Sequence, residues 1–387
     1  MDRDVELELI DRLLAHVDAD TRDLGPAVVA RPVADYLDPV RFGEEQEALF
    51  RAHPVVVGHT AQLPGPGSWF THDHTGVPVV VTRTEAGQLR AFLNVCRHRG
   101  GKPAGAPCGT ARRLTCAYHG WTYDLDGRLR GLPLTDGFPG LGHEGLGLVA
   151  LPLATWHGLI FVRPRPGSPI EPPRFLAGID AELADEAPDE HLLALRSWEV
   201  ACNWKVLLDN FLELYHLSTL HAANIGPMFE PNRILFDEFW PHRRRIDARR
   251  SIRGLRAEPR DRWRLLDHAL RTYHLFPNTQ TFSTQDYLSW LSVWPVGVDR
   301  SVCTQTIVAH WAADTDKRRA HLQTNLDLFD VTLREDFGMS EEVQRGLGSG
   351  ANDSVLFGRH EHGASAVHAA IDEALDRWRA GDAVDGW

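Results

Sequence analysis

Two short pairs of cysteine and histidine are the residues of this chain best suited to hold metal. Cys96 and His98 form a C-x-H pair, and Cys116 and His119 form a C-x2-H pair after it. Two thiolates and two imidazoles on paired loops can hold a two-iron, two-sulfur cluster, with the cysteines on one iron and the histidines on the other. Glycines follow each pair and allow backbone angles that turn amides toward cluster sulfurs. The spacing therefore predicts an electron-transfer centre.

A structural zinc site is the alternative interpretation of these four residues, because two cysteines and two histidines also suit Zn²⁺. Zinc fingers keep their two cysteines together and their two histidines together. Here each half of the site contains one residue of each type. The arrangement therefore favours the iron–sulfur cluster over zinc.

A second group of residues suits a mononuclear metal. Glu213, His216 and His221 follow one another closely. Asn210, Glu213 and His216 share one face if this segment is helical, because they are three residues apart. Two histidines near a carboxylate suit iron(II) with open positions for O2. On its own, the spacing of His216 and His221 is typical of ordinary histidines at the end of a helix. In a chain that also has the cysteine and histidine pairs, it indicates an iron site.

The segments that must position these residues change character along the chain. From about 50 to 165, short β-rich runs between turns rich in Gly, Pro and His indicate a small antiparallel β domain. A Pro-rich stretch at 163–173 indicates a linker. The region beyond it is mixed. Helices are expected at 5–17, 204–217, 320–345 and 367–378, and strands at 55–57, 79–81, 159–162 and 287–310.

Composition narrows the class of protein. A chain of 387 residues favours two domains. The net charge of -12, without a long basic run, argues against nucleic acid or an anionic membrane as a partner. Five scattered cysteines do not resemble a secreted disulfide framework. There is neither an apolar leader at the start nor a stretch apolar enough to cross a membrane, so we expect a cytoplasmic protein.

The two cysteine and histidine loops, 96–100 and 116–127, resemble those of Rieske non-haem iron oxygenase α subunits. The segment 203–221 is similar to the mononuclear iron segment of the same family. This resemblance implies an α+β protein, in which an N-terminal Rieske antiparallel β domain precedes a helix-grip (START-like) catalytic domain with a curved antiparallel sheet. The boundaries we expect are a helical segment at 1–45, the Rieske [2Fe-2S] domain at 46–168 and the catalytic domain at 174–387.

The resemblance also implies a role for each candidate residue. One iron of the cluster is held by the two cysteines and the other by the two histidines; these ligands are Cys96, Cys116, His98 and His119. The mononuclear iron is bound by His216, His221 and a later acid. Asp336 is the candidate for that acid, and the adjacent Glu335 is the alternative. Successive helical residues differ by ~100° in direction, so both should not face the metal.

Glu213 and Asn210 complete the expected catalytic set. In the family, the acid at the position of Glu213 bridges a cluster histidine of one subunit to an iron-binding histidine of its neighbour. The resemblance therefore implies a head-to-tail homotrimer with Glu213 as the inter-subunit electron-transfer bridge, between His119 of one chain and His216 of the next. Many ring-dihydroxylating members have Asp where this chain has Glu213, whereas members acting on choline-like or carnitine-like compounds are similar to it there.

The function implied is that of a terminal oxygenase. Because the chain has no Gly-rich nucleotide fingerprint, NAD(P)H electrons must arrive through a separate flavin or iron–sulfur reductase, with or without a ferredoxin. O2 is the co-substrate, and the product is a hydroxylated or oxidatively demethylated small molecule. A cis-dihydroxylating ring dioxygenase is the runner-up. A pure electron carrier and a ligand-binding protein with degenerate metal sites are the other classes; the second metal group and the filled ligand positions argue against both.

The sequence does not identify the substrate. Phe282, Trp290 and Trp294 lie in the region expected to line the pocket. They can stack on a ring or cage a cation. For any one of them, a place in the core or on the surface is the default interpretation.

Overall fold

The computed structural model describes residues 1–182 and 191–382. Within these ranges the chain divides into two compact units. The small unit comprises Gln46–Phe175, and the large unit combines Met1–Glu45 with Leu176–Asp382. Each unit has its own sheets and its own apolar core.

The N-terminal residues 1–45, expected as a segment of their own, belong to the large unit. The segment expected at 174–387 includes 183–190 and 383–387, which lie outside the described residues. The assignment of functional domains to 46–168 and 174–387 stays a prediction.

Strands account for most of the regular structure in the small unit and for the central sheet of the large one. The strands are β1 (Val29–Pro32), β2 (Val55–His59), β3 (Ser68–His72), β4 (Val79–Arg83), β5 (Leu89–Leu93), β6 (Cys108–Thr110), β7 (Arg113–Thr115), β8 (Thr122–Asp124), β9 (Leu129–Gly131), β10 (Ala150–Leu151), β11 (Leu153–Trp156), β12 (Leu159–Val162), β13 (His191–Val200), β14 (Phe229–Phe239), β15 (His242–Arg249), β16 (Ala269–Leu275), β17 (Thr279–Ser283), β18 (Tyr287–Gly297), β19 (Arg300–Ala309) and β20 (Ser354–Phe357).

Helices are concentrated in the large unit. The α-helices are α1 (Arg3–Ala19), α2 (Ala34–Leu37), α3 (Pro39–Glu45), α4 (Pro172–Phe175), α5 (Ile179–Glu182), α6 (Trp204–Phe211), α7 (Leu265–His268), α8 (Asp316–Leu347) and α9 (His362–Ala380). A π-helical turn lies at Gln46–Arg51, and 3₁₀ turns lie at Thr60–Gln62, Thr135–Gly137, His216–Ser218, Gly226–Met228, Arg250–Ala257, Arg260–Arg262 and Arg359–Glu361.

The small unit is built from three antiparallel sheets. Their strand orders are β10-β5-β4-β3-β6, β11-β12-β2 and β7-β8-β9. One predicted metal loop follows β5, and the other connects β7 to β8 as a hairpin. Cys96 and Cys116 lie in the same core cluster, with Trp121 and Tyr123 beside them. The sheets therefore hold both loops against one apolar core.

The large unit is dominated by one seven-stranded antiparallel sheet, ordered β13-β19-β18-β17-β16-β15-β14. Strands β14 to β19 pair as consecutive neighbours, and β13 adds at the edge beside β19. Helix α1 packs against one face, where Leu9, Ile10 and Leu13 share a core with Ile246 and Ala248. Burial of this apolar stripe explains why the N-terminal helix belongs to the large unit. The predicted α+β class is confirmed.

Helix α8 spans 32 residues and contacts both α6 and β13. The Thr315 side chain caps its first turn by accepting a hydrogen bond from the Arg318 N–H. Its buried positions include Leu322, Leu333 and Asp336. The helix expected at 320–345 is therefore confirmed and is longer than expected. Across the described residues, no helix combines the length and the apolar character needed to cross a bilayer.

The helix expected at 204–217 is wrong in its second half. Helix α6 ends at Phe211, and the chain then turns into a 3₁₀ segment that begins at His216. The Glu213 carboxylate accepts hydrogen bonds from the backbone N–H groups of Tyr215 and His216. This local capture of amides competes with helix continuation. The side chains of Glu213 and His216 are therefore arranged by a turn instead of by a shared helix face.

A buried ion pair joins α3 to α6. Lys205 Nζ lies 2.8 and 2.6 Å from the two carboxylate oxygens of Glu45, and both side chains are 1% exposed. Trp204 Nε1 and Arg41 Nε also donate to Glu45. This carboxylate is therefore surrounded by donors although it is buried, which is the condition for tolerating such a charge.

A second carboxylate ties the N-terminal region to α9. Asp372 accepts hydrogen bonds of 2.6 Å from Arg31 Nη2 and from Arg41 Nη2. Burial acts to raise the pKa of Asp372, but the two guanidinium groups outweigh burial and lower that pKa to about 2.

Candidate metal centres

The two cysteines and the two histidines of the small unit's candidate site differ in their exposure to solvent. Cys96 and Cys116 are each 3% exposed, whereas His98 is half-buried and His119 is exposed. The two imidazole rings have centroids 4.6 Å apart. All five cysteines of the chain are free thiols. The thiolate side of this site is therefore buried and the imidazole side faces outward.

Both loops use the same hydrogen-bonded turn. The Cys96 N–H donates to the Gly101 carbonyl at 2.7 Å, and the Gly100 N–H donates back to the Cys96 carbonyl at 3.0 Å. In the second loop, Cys116 makes the equivalent pair of bonds with Trp121 and Gly120, both at 2.9 Å. Gly100 and Gly120 have φ values of 81° and 72°, the left-handed region that favours glycine.

The space beside the thiolates suits an inorganic cluster. A Cβ added to Gly101 would lie 3.0 Å from the Cys116 Sγ, so this position leaves room that any larger residue would fill. The Tyr123 hydroxyl lies 3.3 Å from the Cys96 Sγ and accepts a hydrogen bond from the Arg97 N–H. Thiolate ligands with a nearby hydroxyl donor fit a [2Fe-2S] group, whose potential depends on hydrogen bonds to sulfur.

Aromatic rings fix the orientation of both imidazoles. His98 stacks on Trp121, with centroids 5.0 Å apart and planes 8° apart. His119 lies against Tyr118, with centroids 3.7 Å apart. Desolvation, together with the nearby His98 and Arg99, lowers the pKa of His119. A neutral imidazole is the form that binds metal.

The second centre brings together residues that are far apart in the sequence. One ligand atom each from His216, His221 and Asp336 lies within 4.8 Å of the others. His221 Nε2 is 2.9 Å from Asp336 Oδ1, and His216 Nε2 is 3.8 Å from the same oxygen. Two imidazoles and one carboxylate on a single side form the donor set that suits iron(II) with open positions.

Carboxylates also hold the outer nitrogens of both histidines. Glu213 Oε1 contacts His216 Nδ1. Glu335 Oε2 lies 2.6 Å from His221 Nδ1 and accepts a further bond of 2.7 Å from Asn224 Nδ2. These contacts orient each ring so that its Nε2 points to the shared centre. Glu335 thus approaches the back of His221, while Asp336 faces its front.

The contact of Glu335 with His221 Nδ1 is one that the sequence interpretation missed. Burial acts to lower the pKa of His221, but the carboxylates of Asp336 and Glu335 outweigh it and raise that pKa. The sequence did contain a signal, the pair of adjacent acids on one helix, since two such neighbours point about 100° apart and can reach different atoms of a nearby group. Nothing in the sequence identifies His221 as their common partner.

A mostly apolar cavity of about 170 Å³ adjoins this second centre. Its walls include Phe211, Leu214, Phe229, Phe282, Leu291 and Phe329. Asn210 and Glu213 also line it, and the buried Asn210 Nδ2 has no hydrogen-bond partner among the described residues. The geometry thus places all three candidate ligands and both additional catalytic candidates at one cavity.

Of the three aromatic residues expected at the pocket, one lines the cavity and two lie on the other face of the sheet. Phe282 lines the cavity, where its ring meets Phe329 edge-on with centroids 5.7 Å apart. Trp290 and Trp294 are buried but are not among the lining residues. On β18 the lining residues are Tyr287 and Leu291, and alternate residues point to opposite faces of a sheet. Both tryptophans therefore lie on the other face.

Comparisons with known proteins match both parts of the chain. Residues 53–150 match the model of the Rieske [2Fe-2S] domain, and residues 187–377 match that of the ring hydroxylating alpha subunit (catalytic domain). The glycine betaine monooxygenase oxygenase subunit of Chromohalobacter salexigens is 29% identical over 367 residues, covering 82% of this chain and 79% of that subunit. The biphenyl 2,3-dioxygenase subunit alpha of Rhodococcus jostii is 33% identical over 205 residues, covering 49% of this chain and 43% of that subunit.

A solved structure shares the fold over most of the chain. The quaternary ammonium Rieske monooxygenase in complex with L-carnitine has a TM-score of 0.76 to this chain at 23% identity. The superposition covers 90% of this chain and 96% of the solved one.

Proposed function

This chain belongs to the α subunits of the Rieske non-haem iron oxygenases, and we propose that it hydroxylates or oxidatively demethylates a small organic molecule. It is a terminal oxygenase component, which receives NAD(P)H electrons through a separate reductase and takes O2 as co-substrate. When bound, the [2Fe-2S] cluster supplies single electrons and the mononuclear iron supplies redox chemistry with O2. A glycine betaine and a carnitine monooxygenase subunit align with 82% and 89% of the chain, which favours monooxygenation over dioxygenation.

The observation that carries this proposal is the position of the His216, His221 and Asp336 triad in the wall of an apolar cavity. An apolar cavity excludes water and holds an organic molecule by burial of its carbon atoms. A triad that leaves open positions at such a wall has the two properties that C–H oxidation needs. Hydroxylation of a methyl group beside nitrogen or oxygen would make the net reaction a demethylation.

Each candidate residue takes a specific role in this proposal. Cys96 and Cys116 hold one iron of the cluster, and His98 and His119 hold the other at the exposed end. The Asn210 amide, whose Nδ2 has no partner among the described residues, is available to a polar atom of the substrate.

Glu213 is the proposed bridge for electrons between subunits. Its carboxylate already contacts His216 Nδ1 in this chain, and the exposed His119 is the histidine that a neighbouring chain would bring to it. We therefore propose a head-to-tail homotrimer, whose closed symmetry repeats one such junction at each interface. The electron donor is a flavin or iron–sulfur reductase, with or without a ferredoxin.

We also propose that the protein works in the cytoplasm, where thiolate ligands are kept reduced. All five cysteines being unpaired supports this location.

A cis-dihydroxylating dioxygenase is the second candidate, because the 33% identity to the biphenyl dioxygenase subunit is higher than that to the glycine betaine monooxygenase subunit. Product analysis separates the two. Incubation under ¹⁸O₂ with a surrogate reductase should place one labelled oxygen atom in a hydroxylated product, and a demethylation should release one formaldehyde per turnover. Two labelled atoms on adjacent ring carbons would establish the dioxygenase instead.

Metal analysis tests the two centres separately. Anaerobically purified protein should contain about three irons and two acid-labile sulfides per chain. Cys116→Ala should abolish the sulfide and the visible absorption, whereas His216→Ala should keep both and lose about one iron. Stoichiometric zinc without sulfide would rule out the proposed function.

Complementation tests the trimer. Cys96→Ala removes the cluster and keeps the iron site, and His216→Ala does the opposite. Co-expressed mixtures of the two inactive variants should regain activity, since some interfaces pair an intact cluster with an intact iron site. Mixed oligomers that form but stay inactive would place electron transfer within one chain and contradict the bridging role of Glu213.

A further inference from the structure

Arg249 differs from the other arginines of strand β15 in its ion pairing. The strand carries four arginines, and three of them have carboxylate partners: Arg243 with Glu238, Arg244 with Asp237, and Arg245 with Asp247. Arg249 lines the same cavity as the metal triad. Among residues 1–182 and 191–382 it has no ion-pair partner, and its Nε is buried without a hydrogen-bond partner.

The alternation of β15 explains why this charge faces the cavity. Arg245, Asp247 and Arg249 line the cavity, whereas Ile246 and Ala248 belong to the core beneath α1. Arg245 and Asp247 neutralise each other, with Nε and Oδ1 2.8 Å apart. Arg249 therefore adds one positive charge that no ion pair within residues 1–182 and 191–382 balances. A half-buried guanidinium in an apolar wall is unfavourable unless it gains an anion.

The surroundings of Arg249 also suit the rest of an acidic ligand. Tyr287 lines the same cavity, and the charge of Arg249 acts on its hydroxyl. Burial raises the pKa of Tyr287 to about 12, so the phenol stays neutral and can donate a hydrogen bond. The edge-on pair of Phe282 and Phe329 supplies an apolar wall for a carbon skeleton.

Distance along the strand separates the anion site from the metal. Arg245 Nη1 donates to the Phe211 and Glu213 carbonyls, so it marks the end of the cavity near His216. Arg249 lies four residues further along the same face, about 13 Å between Cα atoms at the rise of a β-strand. A ligand held at Arg249 by one end can thus extend toward the triad with the other.

We propose that Arg249 is a specificity-determining residue, which binds the carboxylate of an acidic substrate and leaves its distal end at the triad. This inference rests on the proposed function, since it takes the cavity as the substrate site. The substrate class is a small carboxylic acid with a methylated amine or an aromatic ring at the end opposite its carboxylate. Uncharged hydrocarbons leave the Arg249 guanidinium unpaired and bind less favourably.

Matched acid and amide probes test the inference by calorimetry on the intact, metal-loaded protein. The two pairs are N,N,N-trimethylglycine with its amide, and benzoate with benzamide. At least one acid should bind about ten- to hundredfold more tightly than its amide, the factor expected for a charge-assisted hydrogen bond in a confined site. Arg249→Gln should abolish that preference, and Arg249→Lys should keep part of it.

Arg262→Gln is the matched control, because Arg262 is exposed and lies outside the cavity lining. It should bind acids as wild type does. Iron and sulfide content and the melting temperature of each variant establish that its fold is intact. Equal or absent binding of acids and amides by the wild type overturns the inference, as does an acid preference that survives Arg249→Gln.

The proposed function fails by a different measurement. Absence of oxygenated product from acids and uncharged substrates alike, with a reduced cluster and both iron centres filled, contradicts the oxygenase activity and leaves an anion site at Arg249 standing. Oxygenated products from uncharged substrates, at a kcat/KM that Arg249→Gln does not change, leave the activity standing and overturn the anion site.

Discussion

Glu335→Gln tests whether a carboxylate behind His221 contributes to metal binding. The substitution keeps the size and one acceptor oxygen of the side chain but removes its charge. In the wild type, Glu335 Oε2 lies 2.6 Å from His221 Nδ1, and its side chain is 33% exposed. Removing the charge turns a charge-assisted hydrogen bond into a neutral one. The imidazole becomes a weaker donor to the metal and a less firmly oriented one.

The expected magnitude follows from that contact. A charge-assisted hydrogen bond is about twice as strong as a neutral one, and hydrogen bonds to charged groups contribute about 1.5–3 kcal/mol. Half of that value, about 0.7–1.5 kcal/mol, corresponds to a loss of roughly three- to tenfold in iron(II) affinity. Glu335→Ala removes the acceptor altogether and should reach the upper part of the ten- to hundredfold range seen for such outer contacts. Asp336→Ala should weaken binding further, because it removes a proposed ligand.

Anaerobic competition with a chromogenic chelator measures these affinities directly. Glu342→Gln is the matched control, since it makes the same change on the exposed side of the same helix. Equal iron affinity in Glu335→Gln, Glu335→Ala and the control would refute a role for this contact. Loss of iron in Glu335→Ala together with its retention in Asp336→Ala would show that Glu335 is the ligand.

Three further predictions concern the cluster and stability. Tyr123→Phe should lower the reduction potential of the cluster by about 20–60 mV in an EPR-monitored redox titration, because the hydroxyl near Cys96 stabilises the electron-rich reduced sulfurs; an unchanged potential would exclude that hydrogen bond. Lys205→Met should destabilise the protein by about 3 kcal/mol in urea unfolding, the lower end of the range for breaking a buried pair, because Glu45 loses one of its two cations and keeps Arg41; Lys205→Met with Glu45→Leu should recover most of the loss. Asp372→Asn should cost about 1 kcal/mol at pH 7, after discounting for an exposed fraction of 38%. Because the folded pKa is depressed, that difference should persist above the unfolded value of 3.8 and disappear as the pH falls toward 2; a difference that grows on acidification would contradict the sign.

The two turns that carry the candidate cluster ligands were predictable because each turn holds its two candidates within a few residues. Cys96 and His98, like Cys116 and His119, are positioned by one turn of backbone, and glycines in the sequence already indicate the angles of that turn. Local chemistry of this kind depends little on the rest of the fold.

The second centre was harder to predict from the sequence because its residues come from distant segments of the chain. Helical phase separates Asp336 from Glu335, but the contact of Glu335 with His221 and Asn224 depends on how the loop after α6 folds back. The end of α6 was predicted too late, since the competition of the Glu213 carboxylate for nearby amides leaves no mark in a hydrophobic pattern. The role of Arg249 could not be predicted for a similar reason. The sequence does not indicate whether a carboxylate will pair with an arginine on a predicted strand.

Helix α8 carries both Asp336, the proposed metal ligand, and part of the cavity wall. Its lining residues recur every three or four positions along one side; they are Asn325, Leu328, Phe329, Thr332, Leu333 and Asp336. Phe329 and Asp336 are two helical turns apart on a rod about 48 Å long, with no Gly or Pro between them. The spacing between the Phe329 ring and the Asp336 carboxylate is therefore fixed by the helix backbone. One rigid element thus sets both the width of the cavity and the position of the carboxylate at its wall.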